Sequence, residues 1–584
     1  MSFEGKIKKK KKKSYLSKAK KFGKSGRFGK GSYVSEDVYN YFVRVVELDN
    51  AGFASDEERD VFVSNTFEQT VGQEVLLSTN QFTSVALERL IKKGKDECVL
   101  KFMKSLAEDM RPILNDCFAS HVFQTCLKKA AQRIQEIPAD EDSKSKEEYT
   151  SWIIKVGRFL SNNMEDFMWD QYANQIMRTV AETSSGSEPS NAKEAKTKKK
   201  LPKILREFFK EFCLHVQNMP QLPDMVSAVI TSGFLQTLLK CSSLVSAKLF
   251  KPLAAKLVSA LDNKKNSDRM EGPCWRLLEA ILATKDEEVN QQMYEKFFKG
   301  SLKKTATDSE QNFSVQRLLE NCPSKEQLEA ILEELNTVEV IESLLSSGNF
   351  GVIRAMGESC KNLATNQGSF CQSLIGALHC NNPNDRMNLL SPLILAMKDF
   401  EKYEHFRMMN EDAVQPVTLQ GSLLLQACLN FNKPIKFVQS FLSLDGESLV
   451  QILSEPKGCH VTDAFMGSKF IGEKSREKLC HILKGHWAIL GCSKFGSRSL
   501  DSIWKVSTLK MRQSIMNELS KELPKLKGDQ YGRFIVTNYG LELFKHHPED
   551  WATAQGKEIT AKKLFSDILG EDEPATKKIK KNKG

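Results

Sequence analysis

Long hydrophobic runs and paired cysteines are both lacking from this sequence of 584 residues. No apolar run approaches the roughly 20 residues that a helix needs to cross a bilayer, so we expect no contact with a membrane. The N-terminal charges lead into no apolar stretch, which predicts that there is no secretory signal peptide. The fourteen cysteines stand singly with no CxxC pair, as is typical of reduced core residues in an intracellular protein. We therefore expect no metal site.

Catalytic motifs are lacking as well. The glycine-rich segment from Gly23 to Gly31 misses the Ser or Thr that follows Gly-Lys in a phosphate-binding loop, and no predicted strand precedes it. His481 and His486 have no Glu in the arrangement of a zinc protease. The scattered carboxylates form no recognisable nuclease cluster. The sequence therefore predicts a binding protein with no catalytic residue, no metal and no cofactor.

The positive charge is concentrated at the two ends of the chain. Residues 1–30 hold thirteen Lys or Arg against Glu4, and residues 575–584 hold five Lys and no acid. The whole chain has a net charge of +11, and subtracting the +12 and +5 of these two ends leaves −6 for residues 31–574. Such tails are typical of a nuclear or nucleolar targeting signal, of loose contact with phosphate, or of a solvated end without a specific role. We favour the targeting signal. If residues 31–574 bind nucleic acid, they must do so through a local group of basic side chains and through side chains that stack on nucleobases.

An internal repeat runs along the chain. Its clearest copies read NQFTSVALERLI at 80–91, DCFASHVFQTCL at 116–127 and DQYANQIMRTVA at 170–181. The shared pattern is Asp or Asn, any residue, an aromatic residue, a small residue and a small polar residue. We call that small polar residue position 0. The chain contains eleven copies in total, and their +4 positions are residues 88, 124, 178, 236, 279, 316, 353, 426, 463, 501 and 537. A period near 37 residues predicts a repeat array.

Three intervals between copies depart from this period. The interval of 73 residues suggests a degenerate unit near Leu389, and those of 54 and 58 contain insertions around 138–148 and 183–200. We predict a disordered basic tail over 1–33, repeats with capping helices over 34–181 and a low-complexity insertion over 182–202. The remaining repeats and a C-terminal cap would occupy 203–572, with a second disordered basic tail over 573–584.

Each copy has the periodicity of a helix with two unlike faces. Positions 0, +1 and +4 lie on one face of an α-helix, and positions +2, +3 and +6 lie on the opposite face. No residue at +6 is charged, and ten of the eleven at +3 are apolar, with Thr462 the exception. One such unit cannot bury its apolar face alone, but stacked units can. The sequence predicts an all-α solenoid with an open face at 0, +1 and +4.

The predicted open face carries side chains suited to nucleobases. Several +4 positions are Gln or Glu, which match base edges, and seven of the eleven +1 positions are His, Arg or Phe, which can stack. Each good stack contributes roughly 1–3 kcal/mol. A single exposed Gln is usually only solvated and a single Phe is more often core, so only the repetition of such residues at one register indicates a nucleobase-binding face.

The period and these face residues resemble PUF (pumilio) repeats, whose positions 0, +1 and +4 meet successive bases. The segment from Lys484 to Trp504, the copies Gly458–Ala464, Gly421–Gln426 and Asn312–Leu319, and the lysine-rich start are similar to the nucleolar protein nine family, divergent PUF-like proteins. The resemblance implies a C- or U-shaped array of about eleven three-helix repeats in the nucleus and nucleolus. It also implies binding of precursor ribosomal RNA near the 18S end, alongside proteins of the pre-ribosomal particle, in small-subunit assembly. The sequence gives no sign of oligomerisation, and we expect a monomer.

The resemblance also implies base preferences. By analogy with PUF proteins, Ser84 with Glu88 would prefer guanine and Asn312 with Gln316 uracil. Adenine would be preferred by Ser120 with Gln124, Ser232 with Gln236, and Ser422 with Gln426. Other units depart from the family pattern, namely Asn174/Arg178, Asn349/Ile353, Cys459/Asp463, Ser497/Asp501 and Arg533/Thr537. We expect mixed recognition, with some bases read and much of the RNA held by shape and backbone.

These arguments lead to one set of candidate RNA-binding residues. They are Ser84, Glu88, Ser120, His121, Gln124, Asn174, Gln175, Arg178, Ser232, Gln236, Arg276, Glu279, Asn312, Phe313, Gln316, Asn349, Phe350, Ser422, Gln426, His460, Ser497, Arg498, Arg533 and Phe534. One alternative is a protein-binding scaffold of the armadillo or HEAT type, which the charge of −6 favours but the short period does not. Another is a PUF-like regulator of messenger RNA.

Overall fold

The computed structural model describes residues 30–137, 143–187, 201–267, 270–381, 383–410 and 416–569. Across these residues the regular structure is helical, and the β-type pairing is a single bridge between Gly31 and Asn80. The expected all-α class is therefore confirmed. Residues 1–29 of the predicted N-terminal tail (1–33), the predicted C-terminal tail over 573–584 and most of the predicted insertion (188–200) lie outside the described residues.

The chain divides into two compact units, residues 1–289 and 290–584. The helices described in the first unit are Glu36–Ala51, Asp56–Glu68, Glu74–Ser78, Gln81–Lys93, Asp96–Leu106, Arg111–Leu114, Ala119–Glu136, Ser143–Asn162, Met164–Phe167, Gln171–Ser185, Lys203–Gln217, Leu222–Met225, Val229–Val245, Ala247–Ser267 and Gly272–Leu282. Most follow one order, in which a short first helix precedes a second helix that carries the repeat pattern and a third helix follows.

The helix Glu287–Met293 contains the division between the units and leads into a π-helical turn, Tyr294–Phe298. The helices that follow are Leu302–Thr307, Asn312–Glu320, Lys325–Leu335, Val338–Ser347, Phe350–Asn362, Gln367–Ala377, Leu390–Ala396, Phe400–Met409, Leu419–Cys428, Ile435–Phe441, Gly446–Leu453, Cys459–Gly467, Glu473–Ile482, Trp487–Gly491, Gly496–Val506, Leu509–Leu519, Leu523–Gly528, Gly532–Tyr539, Leu541–His546 and Pro548–Leu569. Two short 3₁₀ turns, Asn384–Leu389 and Ser520–Glu522, complete the set.

All eleven sequence copies fall on second helices, which we number as repeats 1 to 11. In the first unit, repeats 1 to 5 have the second helices Gln81–Lys93, Ala119–Glu136, Gln171–Ser185, Val229–Val245 and Gly272–Leu282. In the second unit, repeats 6 to 11 have Asn312–Glu320, Phe350–Asn362, Leu419–Cys428, Cys459–Gly467, Gly496–Val506 and Gly532–Tyr539. Within each unit, consecutive second helices pack against one another from repeat 1 to 5 and from repeat 6 to 10. The repeats therefore stack as a solenoid needs them to.

The acidic or amide residue that opens the repeat pattern begins the second helix. Asp116 Oδ1 accepts from the backbone N–H groups of Phe118 and Ala119 at 2.8 and 2.7 Å. Asp170 and Asp529 accept in the same way, and so does Asn80. Such a side chain satisfies N–H groups that have no partner inside the helix, and it contributes roughly 1 kcal/mol.

The small residue at position −1 marks a close contact between the first and second helices. In repeats 8 to 11 it is glycine, and a Cβ added there would lie 1.9 to 2.7 Å from a carbonyl oxygen of the first helix or its end. In repeats 1 and 4 it is threonine, and the hydroxyls of Thr83 and Thr231 donate to the corresponding carbonyls of Leu77 and Met225. The small residue at position −1 is therefore explained by the close approach of the first helix, which a larger side chain would block.

The predicted core face of the second helices is confirmed. Every residue at +3 and +6 is buried, including Thr462. Burying a side chain of the size of leucine contributes roughly 1.5–3 kcal/mol, so these positions supply much of the driving force for stacking.

The degenerate unit predicted near Leu389 is wrong. The second helix of repeat 7 packs directly on that of repeat 8, with none between them. Leu390–Ala396 is instead the first helix of repeat 8, because it packs against that repeat's second and third helices, Leu419–Cys428 and Ile435–Phe441. The long interval comes from an inserted helix, Phe400–Met409. Spacing alone cannot distinguish an insertion from a missed repeat.

The first and last helices cap the described array. Glu36–Ala51 packs on the second helix of repeat 1, where Arg89 donates to Asn50 at 3.0 Å. At the other end, Trp551 of the last helix is buried and donates its indole N–H to the Tyr539 carbonyl at 2.7 Å. Both caps cover apolar faces that the terminal repeats would otherwise expose.

Two predicted domain boundaries lie elsewhere in the structure. Residues 30–32, which were assigned to the basic tail, hydrogen-bond to the start of repeat 1. The second helix of repeat 3 continues to Ser185, past the predicted start of the insertion at residue 182, because Thr183 and Ser184 are buried against neighbouring elements.

Candidate nucleic-acid interface

Position 0 forms the floor of the repeated face. The expectation that it lies open is wrong for most repeats, because the side chain is packed where the next second helix approaches. The buried members are Ser84, Ser120, Asn174, Ser232, Trp275, Asn312, Ser422 and Cys459. Asn349 and Ser497 are half-buried, and Arg533 is exposed. A helical wheel could not show this, since it contains no neighbouring helix.

In repeats 4, 6 and 8, a glutamine at position +4 is held by a hydrogen bond to position 0. The amide of Gln426 donates to Ser422 Oγ at 2.9 Å, and that of Gln236 donates to Ser232 Oγ at 3.2 Å. Gln316 donates to Asn312 Oδ1 at 2.9 Å. These side chains are half-buried. The bond orients each amide before any ligand arrives, which lowers the entropic cost of recognition.

A second hydrogen bond links position 0 to the next repeat. Ser232 Oγ donates to the Pro273 carbonyl at 2.8 Å, and Ser422 Oγ donates to the Lys457 carbonyl at 2.7 Å. In both cases the acceptor lies two residues before position 0 of the following repeat. The floor of the face is therefore tied from one repeat to the next, and Ser422 or Ser232 serves both its own +4 residue and its neighbour.

Position +1 is the open position. Phe313 and Phe534 are 56% and 63% exposed, which is unusual for phenylalanine. His121, Gln175, Arg276 and Arg498 are exposed as well, while Phe350 and His460 are half-buried. The predicted stacking residues therefore lie where a flat ligand could cover them.

Arg178, at +4 of repeat 3, is fixed between two repeats. Its Nε donates to Asn174 Oδ1 at 3.0 Å and its Nη2 donates to the Ile230 carbonyl at 2.8 Å. The guanidinium lies over Gly233, where a Cβ would come within 2.3 Å of Nη2. Burial lowers the pKa of this group, yet arginine stays charged at neutral pH. The arginine therefore presents an oriented cation and a flat surface in place of an amide.

The two aspartates at +4 are engaged by their neighbours. Asp463 lies 3.5 Å from Arg498 Nη2 and 3.4 Å from His460 Nδ1, and it accepts from Ser502. Asp501 accepts from the Tyr539 hydroxyl at 2.8 Å. A carboxylate repels phosphate, but in Asp463 the adjacent Arg498 reduces this repulsion.

The remaining candidates are spread along the same face. Glu88 accepts from Thr125 at 3.3 Å, and Gln124 is buried. Asn349 donates to the Ala306 carbonyl at 3.1 Å, while Ile353 is buried and cannot read a base. Glu279 is half-buried. The repeats thus differ in how much of the pattern they keep, as the departures in sequence predicted.

Sequence reasoning missed a set of lysines one turn further along the same face. Position +8 lies between 0 and +1 on the helical wheel. It is lysine in three repeats of the first unit, Lys92, Lys128 and Lys240, and all three are exposed. Glu182 takes the place in repeat 3, where burial raises the pKa of its carboxyl. Extending the aligned pattern by one turn would have found this local basic strip.

Other chemistry is scarce on the described residues. No group of His, Cys, Asp and Glu in the described part of the chain could hold a metal ion. All fourteen cysteines are free, and burial raises their pKa, to about 12 for Cys480 and about 11 for Cys241. Thiols with raised pKa are poor nucleophiles at neutral pH. Over the described residues, no helix is both long and apolar enough to span a bilayer.

Stacked three-helix repeats with a period near 37 residues and a row of base-compatible side chains on the second helices define a PUF-like repeat protein. A family model, described as the NOP9-like PUF repeat domain, matches residues 72–201 and 179–534. The chain belongs to this family, and the resemblance seen in the sequence is confirmed.

Curated relatives match along nearly the whole chain. Nucleolar protein 9 of Mus musculus is 26% identical over 92% of this chain and 91% of its own length, and nucleolar protein 9 of Homo sapiens is 25% identical with the same coverage. Among solved structures, those described as APUM23-GGAUUUGACGG and APUM23-GGAAUUGACGG each give a TM-score of 0.73. They are 21% and 20% identical and cover 89% of this chain and 99% of theirs, which supports the same fold.

Proposed function

We propose that this chain is an RNA-binding factor of nucleolar small-subunit ribosome assembly. It binds precursor ribosomal RNA through the second helices, next to the 18S region, and works alongside proteins of the pre-ribosomal particle. It acts by binding and not by catalysis. The relatives named nucleolar protein 9 support the nucleolar location, and the neighbour solved as APUM23-GGAUUUGACGG supports RNA as the ligand.

The observation that carries this proposal is the row of exposed +1 side chains above oriented 0/+4 pairs. Phe313 and Phe534 offer bare rings to solvent, which costs free energy unless a partner covers them. A nucleobase covers such a ring, and a glutamine beside it pairs with the base edge. The +8 lysines supply phosphate contacts on the same face.

The test measures RNA affinity of the full chain by fluorescence anisotropy. The probe is an RNA containing GGAUUUGACGG, and the variant combines His121→Ala, Phe313→Ala and Phe534→Ala. Three lost stacks are expected to weaken binding at least about a hundredfold while leaving the circular dichroism unchanged, since each stack contributes roughly 1–3 kcal/mol.

A matched control removes as many exposed apolar side chains from other helices. Val61, Ile204 and Ile435 are 60%, 53% and 60% exposed and lie on Asp56–Glu68, Lys203–Gln217 and the third helix of repeat 8. Replacing these three by alanine is expected to leave RNA affinity unchanged. Equal affinity of both triple variants would remove the second-helix face from the site, and no RNA binding by the unaltered chain would favour a protein-binding scaffold.

A further inference from the structure

A cleft of about 560 Å³ lies between the third helices of repeats 9 and 10, Glu473–Ile482 and Leu509–Leu519. Both helices belong to the second unit, and neither carries the positions of the proposed RNA face. The volume is in the range of clefts that bind small molecules or a few side chains of a partner. The cleft therefore has the size of a separate binding site.

The walls of this cleft are basic. Lys474, Lys478 and His481 lie at i, i+4 and i+7 of the third helix of repeat 9, so they share one face of it. Lys510 lines the cleft from the third helix of repeat 10, and Lys484 lines it from the turn that follows repeat 9. All five side chains are exposed. A ligand in the cleft is thus surrounded by positively charged groups.

These charges are not neutralised by the chain itself. Within the described residues, none of the four lysine ammonium groups has an ion-pair or hydrogen-bond partner. Four lysines against Glu477 give the lining a formal charge of +3 with His481 neutral. The carboxylate of Glu518 accepts the backbone N–H groups of Gly485 and Trp487 at 2.7 and 3.1 Å instead. A local excess of positive charge favours an anionic ligand.

The base of the cleft is apolar and contains a hydrogen-bond donor. Trp487 and Ile515 line it at 2% and 1% exposure, and Met511 is half-buried beside them. A buried indole N–H usually donates, as those of Trp152 and Trp551 do to carbonyl oxygens at 2.7 Å. The indole N–H of Trp487 has no acceptor among the described residues. It is therefore available to a ligand that enters the cleft.

The lining also discriminates between anionic ligands. A nucleobase needs an exposed ring to stack on, and the ring of Trp487 is buried. Bidentate recognition of phosphate favours arginine, and none of the described residues that line the cleft is an arginine. Lysines above an apolar base match a peptide whose carboxylates contact the rim while an apolar side chain covers Met511 and Ile515.

We propose that this cleft binds an acidic segment of a partner protein. Lys474, Lys478 and Lys510 contact its carboxylates, and one of its acceptors receives the indole N–H of Trp487. Charge-assisted hydrogen bonds of this kind are stronger than neutral ones. The site goes beyond the proposed function and does not depend on RNA binding, because it uses third helices and not the second-helix face.

The first test measures binding of a synthetic peptide, made of glutamates interrupted by single leucines, to the full chain. Isotope-labelled methionine methyl groups are followed by NMR, and the Met511 signal is the one that is absent from Met511→Leu. Since Met511 lines the cleft, its shift reports binding there and not at the basic ends of the chain. We expect a saturable shift, and at least about tenfold weaker affinity in the triple variant Lys474→Gln, Lys478→Gln, Lys510→Gln.

The matched control removes as many lysines from other third helices. Lys248, Lys325 and Lys436 are exposed and lie on the third helices of repeats 4, 6 and 8. The triple variant Lys248→Gln, Lys325→Gln, Lys436→Gln changes the net charge equally, but distant exposed charges are screened, so affinity should stay within about twofold. Equal affinity of the two triple variants, or no shift of Met511 in the unaltered chain, would overturn the proposal.

The second test identifies the group that the cleft recognises. The indole N–H signal of Trp487, which is absent from Trp487→Phe, should move to higher frequency when the acidic peptide binds, because the proton gains an acceptor. The same peptide with glutamine in place of glutamate should shift neither signal, since it has no charge. An unchanged Trp487 signal, equal binding of the glutamine peptide, or an equal Met511 shift with a uridine RNA would each contradict an acidic peptide as the ligand.

Discussion

At the scale of single residues, the repeated face divides its work between three positions. In repeat 6, for example, Asn312 at position 0 is buried and accepts the hydrogen bond that orients Gln316 at +4, while Phe313 at +1 is exposed. The row of exposed rings at +1 was foreseen from the sequence because residue type and register were enough. The burial of position 0 was not, because it depends on how closely the next helix approaches.

Phe313 gives the simplest test at this scale. Phe313→Ala is expected to weaken binding of the GGAUUUGACGG probe roughly 5- to 100-fold, since one stack contributes roughly 1–3 kcal/mol. Phe313→Tyr keeps a ring and should restore most of the affinity. Ile435→Ala, an equally exposed apolar residue on a third helix, is the control. Full affinity of Phe313→Ala in an anisotropy titration would remove this ring from the interface.

Gln426 tests whether the 0/+4 pair reads a base. Gln426→Glu turns the Ser422/Gln426 pair of repeat 8 into the Ser/Glu pair that repeat 1 has at Ser84 and Glu88. A carboxylate only accepts hydrogen bonds, so preference at one nucleotide should move from adenine toward guanine by roughly 1–3 kcal/mol. Competition among RNAs randomised at single positions measures this. An unchanged profile at every position would mean that repeat 8 holds backbone only.

At the scale of helices, the close contact between the first and second helices of a repeat, here called the joint, admits only small residues at position −1. Gly458, at position −1 of repeat 9, leaves only 1.9 Å between an added Cβ and the Ile452 carbonyl oxygen. The small residue was visible in the sequence pattern, but its cause was not, because the opposing carbonyl belongs to a short helix whose sequence shows no repeat.

Gly458→Ala should therefore lower the melting temperature, at a cost of about 1–3 kcal/mol or more because backbone atoms must shift. Gly467→Ala in the same helix has no atom within 4 Å of the added Cβ, so it should be close to neutral. Differential scanning fluorimetry on both variants compares them directly. Equal melting temperatures would show that the joint has room to adjust.

The inserted helix Phe400–Met409 contacts repeat 7 through His379, which lies between Glu401 of the inserted helix and Glu342 of repeat 7. His379 bonds Glu401 through Nδ1 and lies 3.2 Å from Glu342 Oε1 through Nε2. The bond to Glu401, opposed by desolvation and aided by Glu342, raises the pKa of His379 above its ordinary value near 6.5.

This contribution to stability is full below pH 6.5 and is lost as the pH rises through the raised pKa of the folded protein. His379→Gln should thus lower the melting temperature most at pH 6 and least at pH 9. In a Glu342→Gln, Glu401→Gln background the same substitution should have one small effect at every pH. A pH-independent effect in the unaltered background would contradict this assignment.

At the scale of the whole molecule, the number of repeats and the core positions were predicted from the sequence, whereas the 73-residue interval between repeats 7 and 8 was interpreted wrongly. The buried residues at +3 and +6 follow from helical periodicity alone, so all eleven second helices were placed correctly. The 73-residue interval was misread because a helix inserted between Leu390–Ala396 and Leu419–Cys428 has no signature at that scale. The hydrogen bonds between residues 30–32 and the start of repeat 1 were missed because a contact spanning 48 residues leaves no local pattern.

The distribution of charge also belongs to this scale. A body of −6 between strongly basic ends does not attract RNA by bulk charge. Affinity for RNA is therefore expected to come from local features, namely the exposed +1 rings and the +8 lysines Lys92, Lys128 and Lys240.

Crosslinking of the chain to RNA in cells, followed by sequencing of the attached RNA, tests both RNA binding and the identity of the RNA. It should be run beside the variant that lacks the rings of Phe313 and Phe534. We expect reads concentrated on precursor ribosomal RNA at the small-subunit end, and their loss in the variant. Reads concentrated on messenger RNAs would contradict the ribosomal role, and background signal from the unaltered chain would contradict RNA binding itself.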